Sequence, residues 1–497
     1  MNRLRLPGVL VAPTVAAFIT TLDNTAVNVA LPRIRLDLLL SQPGLEWVAA
    51  AYPLTFATLL LLGGNSADTR GHRQTLLAGV AVFTASSLLC ALATSGIVLI
   101  TGRALQGVGA ALVVPASLAV VTHDLPARLR NAAVSTMTAA LAAALALGPV
   151  ISGVITQDLG WRWIFLFNVP LGILALVMTA RTVTAPRPKG QGRTPGDPGD
   201  PGGRNCAIGR AGLSGSLGVT LSCLSLAGFA YSLIEGQRYG FGSPRIAVVL
   251  VLSLGALALV VVHQSMTRTR MPALRLLRHR TFSGGIVTQL LWGLGVSGVF
   301  FFTSQYLQNI LRLTPTMAGL AFSPVAISLL IATPLVQASV RRRGGRMVAA
   351  AGLLTVSTGL LLVSQVGEGA GVIDLMPGFT LIGAGSAMTV PLTTRALETA
   401  PHTSAGTAAG VFTAAREASG VLGIAVVGAI VAWRQHRAAA GGTDVTGAFL
   451  VGYHAGLTAA AVLVSVGAPV AWWALTNEPG TSEDSGSALK ERAKNGP

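Results

Sequence analysis

Charged residues lie inside several long apolar segments of the chain, among them Asp23, Arg103 and Glu417. Asp23 interrupts an apolar run over residues 9–31, in the stretch LDNTAVNVALP. A charge at the centre of a membrane helix costs about 2.5–3.5 kcal/mol on insertion scales, so it needs a partner and marks a candidate functional site. Burial disfavours an ionised carboxyl group, whereas a neighbouring arginine favours it. Between these influences Asp23 could load and release a proton, with Arg103 as its expected partner.

Purely structural roles for these residues stay open. Asp23 could form a helix-packing pair or lie near the outer surface, and Arg103 could extend its side chain to the membrane interface. Arg416 directly precedes Glu417, and adjacent residues point about 100° apart on a helix, so the two cannot easily share a partner. We expect Arg416 to line a cavity and Glu417 to be a second candidate for contact with a proton or cation.

Polar and aromatic residues in the same apolar segments are candidates for contact with a bound ligand. Cavities that bind amphipathic ligands are mostly apolar and carry few polar groups. The candidates are Asn24, Asn28, Gln106, Gln289, Trp292 and Arg416. Asn24 and Asn28 could instead bridge helices, and the aromatic residues around Trp292 could equally face lipid.

The elements that must position these residues are membrane helices. Only 11% of the 497 residues are charged and 52% are hydrophobic, whereas a soluble domain carries about 25% charged residues. Apolar runs of about 20 residues, the length that crosses a bilayer, recur along the chain. They predict an all-α polytopic membrane protein with spans at 9–31, 45–64, 76–95, 97–121, 132–157, 161–180, 211–234, 246–264, 283–307, 316–340, 347–364, 373–394, 406–433 and 449–475.

The distribution of basic residues orients these fourteen spans. Of the 35 lysines and arginines, 25 fall in cytoplasmic segments and 8 in external loops if both termini are inside. This bias fits the positive-inside rule and predicts a multi-pass protein of the cell membrane with both termini in the cytoplasm. The net charge of +17 does not indicate a nucleic-acid partner, because the basic residues are spread over short loops. A cleaved signal peptide is the alternative for the first span.

An internal repeat divides the chain into two halves. The loop sequence RGHR at residues 70–73 recurs as RGGR at residues 343–346, an offset of 273 residues. Such a repeat predicts two parallel six-helix bundles with a substrate path at their interface, as in one class of transporters. The expected regions are a bundle over 1–180, a cytoplasmic linker over 181–210, two inserted spans over 211–264, a bundle over 265–475 and a disordered tail over 476–497.

Three motifs resemble those of the major facilitator superfamily. The stretch GNSADTRGHRQ resembles its loop signature, and LITGRALQGVGAALVVP is similar to its Arg-x-x-Gln-Gly motif. The stretch ALALGPVISGVI resembles its antiporter motif, in which a Gly-Pro pair and small residues bend a helix and allow close packing. The residues concerned are Gly64, Asp68, Gly71 and Arg73 in the loop, and Gly148, Pro149 and Gly153 in the antiporter motif.

The loop signature has a physical interpretation of its own. Gly71 permits a tight turn, and Asp68 would pair with a nearby arginine or lie at the positive end of a helix. Such a contact would hold two spans together in one conformational state. The alternative is an ordinary basic cytoplasmic turn.

The stretches LDNTAVNVALP, WRWIFLFNVPLG and LIEGQRYGFGSPR together resemble the fourteen-helix drug:proton antiporter branch of that superfamily. The resemblance implies the major facilitator fold, with two six-helix halves and two extra central helices. It also implies a proton-driven secondary transporter that exports amphipathic drugs or antibiotics by alternating access. The expected partners are a small amphipathic substrate, protons and the lipid bilayer, and we expect a monomer.

Two other functions stay open at this point. A proton-coupled uptake symporter for a small solute could use the same fold, and only the antiporter motif argues against it. A membrane receptor without transport is disfavoured by the repeat. The sequence contains no Walker loop of the form GxxxxGK[ST] and no cluster of His and Cys ligands, so we expect no direct use of ATP, no enzyme activity, no metal and no cofactor.

Overall fold

The computed structural model describes residues 5–183, 204–266, 276–399 and 405–475. The expected tail and most of the expected linker lie outside these residues. The helices are α1 (Arg5–Asp37), α2 (Gln42–Arg70), α3 (His72–Ala91), α4 (Gly96–His123), α5 (Ala127–Asp158), α6 (Arg162–Thr182), α7 (Arg204–Tyr239), α8 (Pro244–Met266), α9 (Arg280–Gln305), α10 (Pro315–Ala321), α11 (Ser323–Arg343), α12 (Gly345–Ser364), α13 (Val372–Glu398), α14 (Ala405–Ala440) and α15 (Val445–Ala474).

Most of these helices can cross a membrane. Among the described residues, twelve helical stretches are long and apolar enough to do so, and they correspond to the two six-helix halves. The inserted pair is present as α7 (Arg204–Tyr239) and α8 (Pro244–Met266). The all-α polytopic fold is therefore confirmed. Helix α7 begins at Arg204, inside the region expected to be a linker.

The internal repeat is visible in the backbone. Gly71, with φ +95°, ends α2 and precedes α3, and Gly344, with φ +81°, does the same between α11 and α12. Positive φ favours glycine, and these two glycines are 273 residues apart in the sequence. Gly79 and Gly352 are also 273 residues apart. A Cβ on Gly79 would lie 2.8 Å from a side-chain atom of α4, and a Cβ on Gly352 would lie 2.6 Å from a side-chain atom of α13. Equivalent positions thus make equivalent helix crossings.

Each half begins and ends on one face of the molecule. Gly8, near the start of α1, packs against Thr182 at the end of α6, and Thr281, at the start of α9, donates to the carbonyl of Ala474 at the end of α15 at 2.9 Å. We call the face at which α1 and α9 begin the proximal face and the opposite face the distal face. The two halves run parallel, because the later parts of α1 and α9 contact each other.

One expected span is interrupted. The span expected over residues 316–340 is present as one apolar stretch over Pro315–Arg343, but its helix is broken at Phe322, where α10 ends at Ala321 and α11 begins at Ser323. Pro324 lies at the start of α11, and proline has no N–H to continue the hydrogen bonds of a preceding helix. The apolar sequence runs through this break without a change in composition, which is why hydropathy alone does not reveal it.

The inserted pair contacts both halves. Helices α7 and α8 pack against each other, and α7 also packs against α2 of the first half and α14 of the second. Near the distal face, the Nε1 atom of Trp47 donates to Glu235 at 3.1 Å, and the Nε2 atom of Gln237 donates to Glu46 at 2.9 Å. The insertion is therefore anchored beside the seam between the halves.

Candidate functional site

Asp23 lies at the centre of a buried polar network in the first half. Its side chain is ion-paired with Arg103, and the residue is 1% exposed. The carboxylate also accepts hydrogen bonds from Nδ2 of Asn168 at 2.7 Å and from Nε2 of Gln106 at 3.2 Å. Helices α4 and α6 thus supply the donors for a carboxylate on α1, and the ion pair expected from the sequence is formed.

Arg103 is completely buried, so the alternative that its side chain extends to the membrane interface is wrong. Its guanidinium donates to Oε1 of Gln106 at 2.9 Å and to the carbonyl of Val48 at 3.4 Å. It also lies over the ring of Tyr52, 4.7 Å from the ring centroid, as in a cation–π contact. Breaking a buried ion pair from one side costs about 3–5 kcal/mol, because it leaves the other charge without compensation.

A cavity of about 280 Å³ separates the two halves. Its walls come from α1, α2, α4 and α5 of the first half and from α9, α11, α13 and α14 of the second. Four of the six candidate ligand-contact residues line it, namely Asn24, Asn28, Trp292 and Arg416. Arg103 also reaches its wall, which places the buried ion pair directly beside the cavity.

Two of the candidates do not line the cavity. Gln106 points into the first half, where it donates to Asp23 and, at 2.8 Å, to Ser87. Gln289 lies one turn before Trp292 on α9 and is absent from the cavity wall. In this structure neither side chain therefore lines the cavity, because the rotation of each helix about its axis turns it elsewhere.

Arg416 and Glu417, which are adjacent on α14, form an ion pair at the cavity wall. The Nη2 atom of Arg416 lies 3.0 Å from Oε1 of Glu417, and Nδ2 of Asn24 donates to the other carboxylate oxygen at 3.4 Å. The side chain of Glu417 is 6% exposed and that of Arg416 is 47% exposed. The long arginine side chain bends back over its neighbour, which offsets their different directions on α14.

The antiporter motif on α5 packs against both halves. A Cβ on Gly148 would lie 2.0 Å from Oγ1 of Thr25 on α1, and one on Gly153 would lie 2.5 Å from the carbonyl oxygen of Pro315 on α10. A Cβ on Gly319 of α10 would in turn lie 2.2 Å from the carbonyl oxygen of Pro149. Only residues without a side chain allow backbones to approach so closely.

The cavity is closed toward the distal face by contacts between the halves. Ser304 of α9 donates to the carbonyl of Asn28 at 2.8 Å, and Gln308 donates to that of Val29 at 2.8 Å. The backbone N–H of Thr316 donates to Gln157 of α5 at 3.4 Å. Together with the packing of α5 against α10, these contacts form what we call the distal seam.

The loop with the signature Gly64, Asp68, Gly71 and Arg73 lies at the proximal face. Gly71 makes the expected turn, and Nη2 of Arg73 donates to the carbonyl of Ala180, the end of α6, at 2.9 Å. Asp68 is exposed and has no lysine, arginine or histidine nitrogen within 4.0 Å among the described residues. Within the described residues the ion pair expected there is therefore not formed, and Asp68 lies in the last turn of α2. A Cβ on Gly64 would meet no atom within 4 Å.

Comparison with known families agrees with this architecture. The profile of the Major Facilitator Superfamily matches residues 14–424. The chain belongs to the major facilitator superfamily. This membership confirms the resemblance inferred from the motifs, and it makes the chain a membrane transporter and not an enzyme.

Several relatives in this superfamily are resistance and export proteins. The chain is 33% identical to the multidrug resistance protein Stp of Mycobacterium tuberculosis, over 87% of this chain and 77% of that protein. It is 32% identical to the puromycin resistance protein pur8 of Streptomyces alboniger, over 96% and 93% of the two chains. It is also 32% identical to the cephamycin export protein CmcT of Amycolatopsis lactamdurans, over 84% and 83%.

Solved structures show the same fold at low sequence identity. A bacterial homologue of the human lysosomal transporter Spinster matches with a TM-score of 0.65 at 15% identity, over 95% of this chain and 98% of that one. A peptide transporter POT in complex with sulfate matches with a TM-score of 0.64 at 14% identity, over 94% and 95%. The major facilitator fold is therefore confirmed.

Two buried polar residues of this transporter were not predicted from the sequence. Asn168, in the stretch WRWIFLFNVPLG, donates to Asp23, and an asparagine amid apolar residues was the available signal. Glu46, in GLEWVAAAY, is completely buried near the distal face, between α2, α7 and α14. Its hydrogen-bond partners are the amides of Gln42 and Gln237, and no lysine, arginine or histidine nitrogen of the described chain lies within 4.0 Å of it.

Glu46→Gln should leave the protein at least as stable as the wild type. A buried carboxylate without a cation is costly, whereas glutamine has the same shape and retains hydrogen-bonding capacity toward both amides. We expect the midpoint of thermal unfolding in detergent to stay constant or rise, corresponding to about 0–2 kcal/mol. The half-buried Glu235, which accepts from Trp47, supplies the control Glu235→Gln. A clear fall in the midpoint for Glu46→Gln alone would show that the ionised carboxylate stabilises this junction.

Proposed function

We propose that this chain is a proton-driven exporter that exchanges protons for amphipathic drugs or antibiotics by alternating access. In this proposal the membrane is the cell membrane and the proximal face is cytoplasmic, as the distribution of lysine and arginine favours. The names of the relatives, which include multidrug resistance, puromycin resistance and cephamycin export, support cargo of this kind. In this proposal the protein works as a monomer, with the cavity between the two halves of one chain.

The observation that carries the proposal is the buried ion pair beside the cavity. Arg103 belongs both to the pair with Asp23 and to the cavity wall. Protonation of Asp23 neutralises the carboxylate, so the guanidinium loses its ionic partner while the amides of Gln106 and Asn168 remain. The interaction between α1 and α4 therefore depends on the proton, and this dependence can bias the rocking of one half against the other.

The direction of coupling separates the candidate functions. In inside-out membrane vesicles acidified inside, a proton antiporter accumulates a fluorescent amphipathic dye, and the accumulation collapses when a protonophore is added. The membrane potential contributes about 2.3 kcal/mol per charge and 100 mV, enough to drive measurable accumulation. A symporter would instead carry the dye outward together with the protons, and a receptor would give no flux. Either result would refute the proposal.

A further inference from the structure

Only one of the charged side chains that line the cavity is accessible to a ligand. Of the ionic residues that line the cavity, Arg103 is completely buried and the side chain of Glu417 is 6% exposed, whereas that of Arg416 is 47% exposed. Nε and Nη2 of Arg416 both donate to Oε1 of Glu417, at 3.3 and 3.0 Å. The Nη1 atom has no hydrogen-bond partner within the described part of the chain. A ligand in the cavity therefore meets a guanidinium that still has donors to offer.

Both carboxylates near the cavity are already neutralised. Asp23 is paired with Arg103 and is 1% exposed, and Glu417 is bound by Arg416 and by the amide of Asn24. A cationic ligand would have to displace an arginine from one of these carboxylates and place its own charge beside the released guanidinium. Juxtaposed like charges cost several kcal/mol, so the wall disfavours cations.

The rest of the wall suits an apolar body with aromatic rings. Phe300 and Phe322 lie together, with ring centroids 4.9 Å apart, and Trp292 lines the same cavity while its Nε1 atom donates to Ser386 at 3.0 Å. Aromatic side chains bind flat apolar groups by offset or edge-to-face contacts. Arg416 is the accessible charged residue among those that line the cavity together with these rings.

We propose that the cavity selects amphipathic anions, in which a ring-containing apolar body carries a carboxylate or an ionised phenol or enol that binds Arg416. A guanidinium presents donors in a planar fork that matches a carboxylate, and such charge-assisted hydrogen bonds are among the stronger ones in proteins. The selection is a property of binding. That the bound anion is also the exported cargo rests on the function proposed above.

Two xanthene dyes of similar shape and opposite charge test this selection. The full chain is purified into lipid nanodiscs, and fluorescence anisotropy measures the binding of fluorescein, an anion, and of a rhodamine ethyl ester, a cation, without a proton gradient. We expect fluorescein to bind roughly tenfold more tightly or better, as for a hydrogen bond to a charged group. A wild-type protein that prefers the cation would overturn the proposal.

Variants of the adjacent pair assign the selection to Arg416. Arg416→Gln should lose the preference for fluorescein and bind the rhodamine ester more tightly, because Glu417 is left without its cation, whereas Arg416→Lys should keep the preference. Glu417→Gln retains the guanidinium without its anion and should bind fluorescein at least as well as the wild type. Unchanged fluorescein affinity in Arg416→Gln, or lost affinity in Glu417→Gln, would refute the assignment. The second variant decides the question if the first does not fold.

The binding experiment tests the ligand class and the vesicle experiment tests export, so each proposal can be refuted without the other. Preference for fluorescein in nanodiscs without proton-driven flux in vesicles would refute export and leave the ligand class standing. Proton-driven transport of the rhodamine ester but not of fluorescein would refute the ligand class and leave export standing.

Discussion

Asp23→Asn is expected to reduce proton-driven transport to the background of empty vesicles while the protein remains folded and inserted. Asparagine has nearly the same shape and keeps an oxygen that can accept from Arg103 and Asn168, but it cannot bind or release a proton. It also leaves the guanidinium of Arg103 buried without an anion, so the variant should be less stable, by up to about 3–5 kcal/mol. Dye accumulation in inside-out vesicles at matched expression measures the transport, and thermal unfolding measures the stability.

A second aspartate on the same helix supplies the control. Asp37, at the distal end of α1, accepts from Arg162 at 3.0 Å, and its side chain is 53% exposed. Asp37→Asn makes the same chemical change where an exposed pair contributes about 1 kcal/mol or less, and it should transport at nearly the wild-type rate. Full transport by Asp23→Asn would remove Asp23 from proton coupling. Equal loss in both variants would show that the assay reports general damage to α1.

Composition and hydropathy predict most of the fold. A bilayer requires each spanning segment to satisfy its own backbone hydrogen bonds, so long apolar runs become helices whatever their neighbours are. The turn at Gly71 was predictable for a different reason: a short loop between two membrane helices needs a tight turn, and glycine permits one. The same holds for its counterpart at Gly344. The break at Phe322 and the early start of α7 at Arg204 were missed, because in both places the composition gives no sharp boundary.

The sequence predicted the ion pair of the site, because a buried charge needs a partner of opposite charge. It did not predict the neighbours of that pair, because they depend on how the helices pack. A buried arginine needs an anion, and Asp23 was the available one, so the pair with Arg103 followed from the sequence. Which side chains join it depends on how each helix is rotated about its axis. That rotation brings Gln106 and Asn168 to the pair, and it keeps Gln289 out of the cavity.

The same limit applies to contacts between distant segments. Glu46 meets Gln237 across 191 residues of sequence, and no local pattern signals such a contact. The pairing of Arg416 with Glu417 depends on a bent arginine side chain, which an argument from ideal helix directions does not capture. The chemistry of the cavity therefore became readable only when the lining residues were known.

Gly319→Val should prevent the distal seam from closing and thereby abolish transport. Even a Cβ at this position would lie 2.2 Å from the carbonyl oxygen of Pro149, and a backbone atom cannot move aside as a flexible side chain can. Overpacking costs about 1–3 kcal/mol, and each 1.4 kcal/mol changes a conformational equilibrium about tenfold. Since the clash exists only while α5 and α10 are in contact, the variant should favour states in which the distal face is open.

Distances between spin labels across the distal seam test this directly. Cysteines introduced at Leu159, at the end of α5, and at Thr314, just before α10, lie at exposed positions on opposite sides of the seam. The distance between their labels should shift to longer values in Gly319→Val. Gly255→Val is the matched control, because Gly255 lies in an exposed part of α8 and a Cβ there would meet nothing within 4 Å. If Gly319→Val showed the same distance between the labels and the same transport as the wild type, closure of the seam would not depend on the contact between α5 and α10.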